Sequence, residues 1–221
     1  MSEHLLPPAS IIVGLWLLFA GSHVLLSSCV LRERLIRHVG ISVFRGIYSL
    51  IAFASFAPLV LFYMNNRHSG TLLWWIERNA YLDAGINTGM ALAVVLITAS
   101  LMSPSPTMVG QAAKRSPFGV SRITRHALFM GIALWAVLHV IANGFVGDIV
   151  FFGGFVVFSV FGAWHQDQRY IRIRDISYIE FMSQAPFLPF TGRDTRLGIA
   201  ELPRSAVIIG VVATVLLRAV H

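Results

Sequence analysis

The sequence predicts an all-α fold: a polytopic membrane helical bundle with about six transmembrane helices, forming one domain over residues 1–221. Three observations carry this. Apolar residues make up 56% of the 221-residue chain and charged residues 12%, about half the charged share of a soluble domain. The apolar residues gather into stretches near the length a bilayer requires. Lys and Arg alternate between the connecting segments in the way that sets membrane orientation. A soluble core cannot hide this much apolar surface, whereas lipid accepts it.

The stretches run over residues 10–31, 44–64, 83–101, 127–142, 146–164 and 205–220. A helix needs about 20 residues to cross about 30 Å of hydrocarbon, and the fourth and sixth are short of that. No basic region precedes the first stretch, so it is expected to remain as a span and not to be cleaved. Pro58 lies inside the second and kinks it. Asp83 is placed to cap the third, and Pro104 and Pro106 stop it. Asn143-Gly144 marks a tight turn between the fourth and fifth, and Pro203 precedes the sixth. Gly131, Gly153, Gly154 and Gly162 provide small surfaces for close helix contact. Residues 166–204 form the long polar segment. Asp167, Arg169, Arg172, Arg174 and Asp175 predict an interfacial helix there, and Pro186 and Pro189 a turn.

The formal charge is +7, from 17 Lys and Arg against 10 Asp and Glu. Arg32, Arg34, Arg37 and Arg45 follow the first span, and Lys114, Arg115, Arg122 and Arg125 follow the third. Arg169, Arg172, Arg174, Arg193, Arg196 and Arg204 follow the fifth. The other side holds Arg67, Arg78 and Arg218. This places the basic segments in the cytoplasm and both termini outside it, in an inner (cytoplasmic) membrane, with the lipid bilayer as partner. The aromatic-interleaved basic stripe that nucleic acid requires is missing. Cys29 is the single cysteine, which excludes an intrachain disulfide and a cysteine zinc cluster.

Ionisable groups inside a membrane are costly, so each is a candidate for function. Among the histidines, His4, His38 and His221 read as surface residues. His23 in the first span, His126 at the start of the fourth and His165 at the end of the fifth share the inner level. His139 lies about 20 Å further along the fourth span than His126 and about 220° round it, so those two cannot grip one metal. His23 and His126, on separate helices at similar depth, form a pair that could hold haem iron as axial ligands, with His165 and His139 as second choices. The plainer alternative is that each histidine hydrogen-bonds a neighbouring helix. Ser22, Ser27 and Ser28 surround His23 and either support it or bond their own helix carbonyls. Cys29 is about 240° from His23 on one helix and does not share its face. No zinc, nucleophile-triad, phosphate-loop or dinucleotide motif is present.

Several motifs together resemble a known family. Gly21-Ser22-His23, Phe44-Arg45-Gly46-Ile47-Tyr48, Arg125-His126, Leu134-Trp135, Leu138-His139 and Asn143-Gly144 resemble the NnrU family, which is associated with nitrite and nitric oxide reduction. Asn65-Asn66-Arg67-His68-Ser69-Gly70 before Leu73-Trp74 is similar to a loop of its 15-cis-zeta-carotene isomerase branch. So are Arg122-Ile123-Thr124-Arg125-His126, Phe161-Gly162-Ala163-Trp164 with Asp167 and Arg169, and the turn at residues 186–190. Ala127 stands where the arginine-histidine motif usually continues with proline, and Asn66 where the isomerase branch carries histidine. The resemblance implies haem b, with His23 and His126 at the matching histidine positions and Arg122 and Arg125 beside the propionates. It implies a redox-dependent cis-trans isomerase of an apolar polyene. An accessory protein for nitrite and nitric oxide reduction, working with a redox partner, is the alternative reading. A membrane methyltransferase using S-adenosylmethionine, with Arg125-His126, Tyr178 and Glu180 at the cofactor, is the third.

Overall fold

The computed structural model describes residues 7–103 and 116–219. His4, Pro104, Pro106, Lys114, Arg115 and His221 lie outside the described residues. The described chain forms helices α1 Pro8–Ser27, α2 Cys29–Val39, α3 Ile41–Asn65, α4 Ala80–Met102, α5 Val120–Ile123, α6 Ala127–Ala142, α7 Val146–Arg172, α8 Ile176–Gln184, α9 Thr195–Ala200 and α10 Arg204–Ala219. Four of them, α1, α3, α4 and α7, are long and apolar enough to cross a membrane, and α6 is a shorter apolar helix. At most 33% of each spanning stretch is buried within the chain. Large apolar side chains such as Leu17, Phe53, Val157 and Leu216 face outward. An outer surface of this kind is stable against hydrocarbon and not against water.

Several boundaries differ from the expected ones for physical reasons. The first span ends at Ser27, and α2 begins separately at Cys29. Ser22, Ser27 and Ser28 donate to the carbonyls of Phe19, Val24 and Leu25, so the serines back-bond their own helix. Asn79, and not Asp83, caps α4: its side chain accepts from the N–H groups of Tyr81 and Leu82. Asp83 pairs with Arg78. Asp167, Arg169 and Arg172 do not begin an interfacial helix but continue α7 through its last turns. Arg174, at φ 53°, turns the chain, and Asp175 caps α8 by accepting from the Tyr178 N–H.

The chain divides into two compact units. One comprises Met1–Ile76 and His139–Gly154. In it α1 packs on α3 and α2 contacts both. Trp16 donates its indole N–H to the Phe151 carbonyl, and its ring lies where a Cβ at Gly154 would stand. Residues 69–73 run antiparallel to residues 144–147, through Leu73 N–H to Gly144 O at 2.8 Å and Val146 N–H to Thr71 O at 3.0 Å. A Cβ at Gly144 would overlap the Trp74 carbonyl, so glycine is required at this turn.

The other unit comprises Glu77–Leu138 and Phe155–His221. Here α10 packs on α4, where Gly210 admits Val95 and the Thr98 hydroxyl donates to Ala206 O. Leu96, Ala99, Val120, Ile123, Ala127 and Ala206 form its apolar core. Gly131 admits α4 at Ala93 and Ile97, and Gly162 lies against Phe129. Gly153 meets nothing, so the close contact expected of it is not made.

Candidate functional site

The most connected polar cluster among the described residues centres on Asp167 in the second unit. Its position is set by the turn after α8. Arg125 N–H donates to Pro186 O, Phe190 N–H donates to Ile123 O, and the Thr124 hydroxyl donates to Phe187 O at 2.6 Å. These bonds fasten residues 123–125 to the proline turn and deliver Arg125 and His126 to the start of α6. Ala127 opens that helix. This is the first helical position, where proline is also accommodated.

Asp167 is buried on α7 and gathers three side chains. Arg125 donates through Nη2 at 2.8 Å and Nε at 3.1 Å to Oδ2. Tyr178 donates its hydroxyl to Oδ1 at 2.5 Å. His126 Nε2 lies 2.8 Å from the same oxygen. Arg125 also donates to Ala185 O at 2.7 Å and stands over the Phe187 ring. Burying an ion is costly unless it is paired and hydrogen-bonded, and here both conditions hold. Burial, followed by the Asp167 carboxylate it serves, pushes the Tyr178 phenol well above its ordinary value. It therefore remains a donor.

The network assigns the tautomer of His126. An ionised carboxylate only accepts, so Nε2 carries the proton. Nδ1 is buried and has no hydrogen-bond partner. A neutral ring in this state offers a lone pair at Nδ1, with a carboxylate bound to the opposite nitrogen. Metal-bound imidazoles adopt this arrangement, so His126 suits an iron ligand through Nδ1.

The other expected residues have different surroundings. His23 lies beside Phe19 and Tyr48, with ring centroids 5.6 and 4.7 Å away. His139 stacks on Phe152 at 4.4 Å. Both are in the first unit. His165 stacks on Phe161 in the second. Arg122 pairs with Asp194 and Glu201, each at 2.9 Å. The donor groups of Arg122 and Arg125 thus already serve protein acceptors. Among the described residues, no group of three His, Cys, Asp or Glu is placed to hold a bare ion. Nothing in the spacing of the sequence marks Tyr178 as the partner of Asp167, and Asp148 is a further buried acid of the apolar helices. For Asp148 the signal was available, because an acid inside an apolar span must find a partner.

A family model described as NnrU protein matches residues 11–221. The 15-cis-zeta-carotene isomerase, chloroplastic, of Zea mays is 24% identical over 182 residues, covering 80% of this chain and 48% of that protein. The isomerase of the same description from Arabidopsis thaliana is 23% identical over 192 residues, covering 83% of this chain and 50% of that protein. The chain spans about half the length of these curated relatives. No solved structure matches it.

Proposed function

The chain belongs to the NnrU family, and from that premise we propose that it is a membrane-embedded haem b protein acting as a redox-dependent cis-trans isomerase of an apolar polyene. The observation that carries the haem reading is the His126 ring, held by Asp167 through Nε2 with its buried Nδ1 left without a hydrogen-bond partner. The names of its relatives supply the reaction class. When bound, haem would supply an iron able to lend electron density to a conjugated chain and weaken a double bond enough for rotation.

The chain's own residues do the rest. His126 presents Nδ1. Asp167 fixes the ring and raises its basicity. Arg125 neutralises Asp167 and Tyr178 completes its shell. The outward apolar faces of the spans let a polyene approach from lipid. The membrane is the inner (cytoplasmic) one, with the basic segments on its cytoplasmic side and both termini opposite.

The test is a visible spectrum of detergent-purified protein, oxidised and reduced, for wild type, His126→Ala and His23→Ala. Anaerobic incubation of the reduced protein with a cis-polyene accompanies it. A Soret band that His126→Ala alters, together with isomer conversion, is the expected result. Haem without conversion, together with loss of nitric oxide reductase activity and normal pigments on deletion of the gene, favours an accessory role in nitrite and nitric oxide reduction. Colourless protein that binds S-adenosylmethionine favours the methyltransferase reading.

A further inference from the structure

Leu72, Leu73, Trp74, Trp75 and Ile76 form one apolar run within the unit of Met1–Ile76 and His139–Gly154. Water suits it poorly. Leu73 is 59% exposed and Trp75 77%, and Leu72 and Ile76 are exposed as well. A contiguous exposed patch of this kind marks a surface that meets lipid or protein. The run is held in place from one side. Leu73 N–H donates to Gly144 O and Val146 N–H to Thr71 O, and Trp74 donates its indole N–H to Ile141 O at 3.3 Å. The Trp74 indole is thus committed to the end of α6, while Trp75 stands clear of the protein.

Two features fix the level of the run. The first is the length of α6. Its 16 residues rise about 24 Å, about 6 Å short of the hydrocarbon thickness of about 30 Å. A helix of that length starting at one edge of the bilayer ends inside the apolar layer. Residues 69–73, paired with residues 144–147, lie over that end. The second feature is the backbone. Residues 73–79 form neither helix nor strand, and among the described residues none bonds the backbone of residues 75–78. Unpaired N–H and C=O groups are too costly to leave in hydrocarbon, so this stretch must reach headgroups or water. Glu77 and Arg78 follow at once, with Arg78 paired to Asp83. Apolar side chains over a short helix and a hydrated backbone are compatible at one level, the boundary between acyl chains and headgroups, where Trp and Tyr concentrate. In the other unit, Tyr81 stands 91% exposed in the first turn of α4, where a spanning helix meets such a boundary.

We propose that residues 72–76 are an interfacial anchor: a non-helical wedge that seats Trp75 among the glycerol groups and upper acyl chains of phospholipid, in the leaflet opposite the basic segments, and so fixes the level of the α6–α7 turn. Continuity selects lipid over a protein partner. In chain order the run lies between α3 and α4, both long and apolar enough to cross a membrane, so its neighbours on each side already meet the same bilayer. No charged residue lies within the run, so headgroup charge does not select the lipid. The inference is independent of the haem reading.

Full-length protein in nanodiscs holding one copy each tests this, and excludes a second copy as the cover. The discs are made of phosphatidylcholine carrying bromine near the headgroup end of its acyl chains, near their methyl end, or not at all. The emission of wild type minus that of Trp75→Phe isolates Trp75 among the five tryptophans. Phenylalanine keeps an apolar ring there, and circular dichroism verifies the fold. The expected Trp75 signal is quenched more by shallow bromine than by deep bromine, and it loses most of the iodide quenching shown by free tryptophan. Iodide quenching equal to that of free tryptophan, with no effect of bromine, places the ring in water and overturns the inference. Stronger quenching by deep bromine places it in hydrocarbon and overturns it too. So does a signal insensitive to every quencher, which means that protein covers the ring. A nitroxide on Ile76→Cys, in a Cys29→Ser background, reads the level without any tryptophan. It should be more accessible to oxygen and less accessible to a nickel chelate than the same label on Arg67→Cys, at an exposed position earlier in the loop. The reverse order overturns the inference.

Discussion

Replacing Asp167 by asparagine keeps the shape of the side chain and removes its charge. Asp167 is 5% exposed, Arg125 12%, and the His126 side chain is fully buried. Solvent therefore does little to rescue the guanidinium left behind. Breaking a buried ion pair by neutralising one partner costs about 3–5 kcal/mol. The asparagine carbonyl still accepts one bond, from Tyr178 or Arg125, which puts Asp167→Asn at the lower end, about 3 kcal/mol. Tyr178→Phe removes one hydrogen bond to a charged acceptor that Arg125 still satisfies, a loss of about 1.5 kcal/mol. The two are coupled. Once the acceptor is neutral the phenol contributes less, so the double variant is less destabilised than the two costs added, by about 1 kcal/mol. Unfolding in dodecyl sulfate mixed micelles, followed by far-ultraviolet circular dichroism, measures all four corners of this cycle. Asp167→Asn within 0.5 kcal/mol of wild type, the usual range for surface substitutions, would refute the claim that this carboxylate organises the site. So would strict additivity in the cycle.

Three other outcomes follow from the same geometry. Gly144→Ala forces a Cβ onto the Trp74 carbonyl and should cost about 1–3 kcal/mol through backbone displacement; the same micelle titration detects it. Tyr178 has its phenol pKa raised above the ordinary 10.0 by burial and by Asp167. The folded state therefore holds its proton more tightly than the unfolded chain, and this contribution to stability is complete below about pH 10 and declines as pH rises further. Tyr178→Phe should show a shallower alkaline loss of stability than wild type, and identical slopes would count against the raised phenol. In a Cys29→Ser background, a membrane-impermeant maleimide should label Ser183→Cys from the cytoplasmic face of sealed membrane vesicles and Thr71→Cys from the opposite face; labelling of both from one face, or of each from the other face, would overturn the orientation drawn from the arginines.

The fold was legible where local chemistry marks an end, and less so where only hydropathy changes. Residues 127–142 match α6 as observed, because Asn143-Gly144 closes it and the bonds of residues 123–125 to the proline turn hold its start. The last span matches α10 to within one residue at each end, since Pro203 precedes it. The fifth stretch stops at 164 by hydropathy, yet α7 continues to Arg172. Long basic side chains such as Arg169 and Arg172 carry their charge outward from a helix that is apolar at its base, so the apolar run ends before the helix does. The break at Ser28 has neither glycine nor proline to announce it. Asp83 and Asn79 were both able to cap α4, and Arg78 decides the matter by pairing with Asp83.

The same contrast governs the site. Histidine is conspicuous in an apolar sequence, so His23, His126, His139 and His165 could be picked out by type and depth. What makes one imidazole different from another is the group bonded to its other nitrogen, and that partner lies far along the chain: Asp167 is 41 residues from His126 and Asp148 is 80 residues from His68. Spacing along one helix cannot reveal such pairs. The acids could have been read first. The whole chain has only 10 Asp and Glu, and an acid buried among apolar helices must be matched by donors or remain uncharged. Asp148 and Asp167 each collect an imidazole and a tyrosine hydroxyl. In a protein this poor in charge, following each buried carboxylate to its donors locates the prepared imidazoles more directly than ranking the histidines by depth.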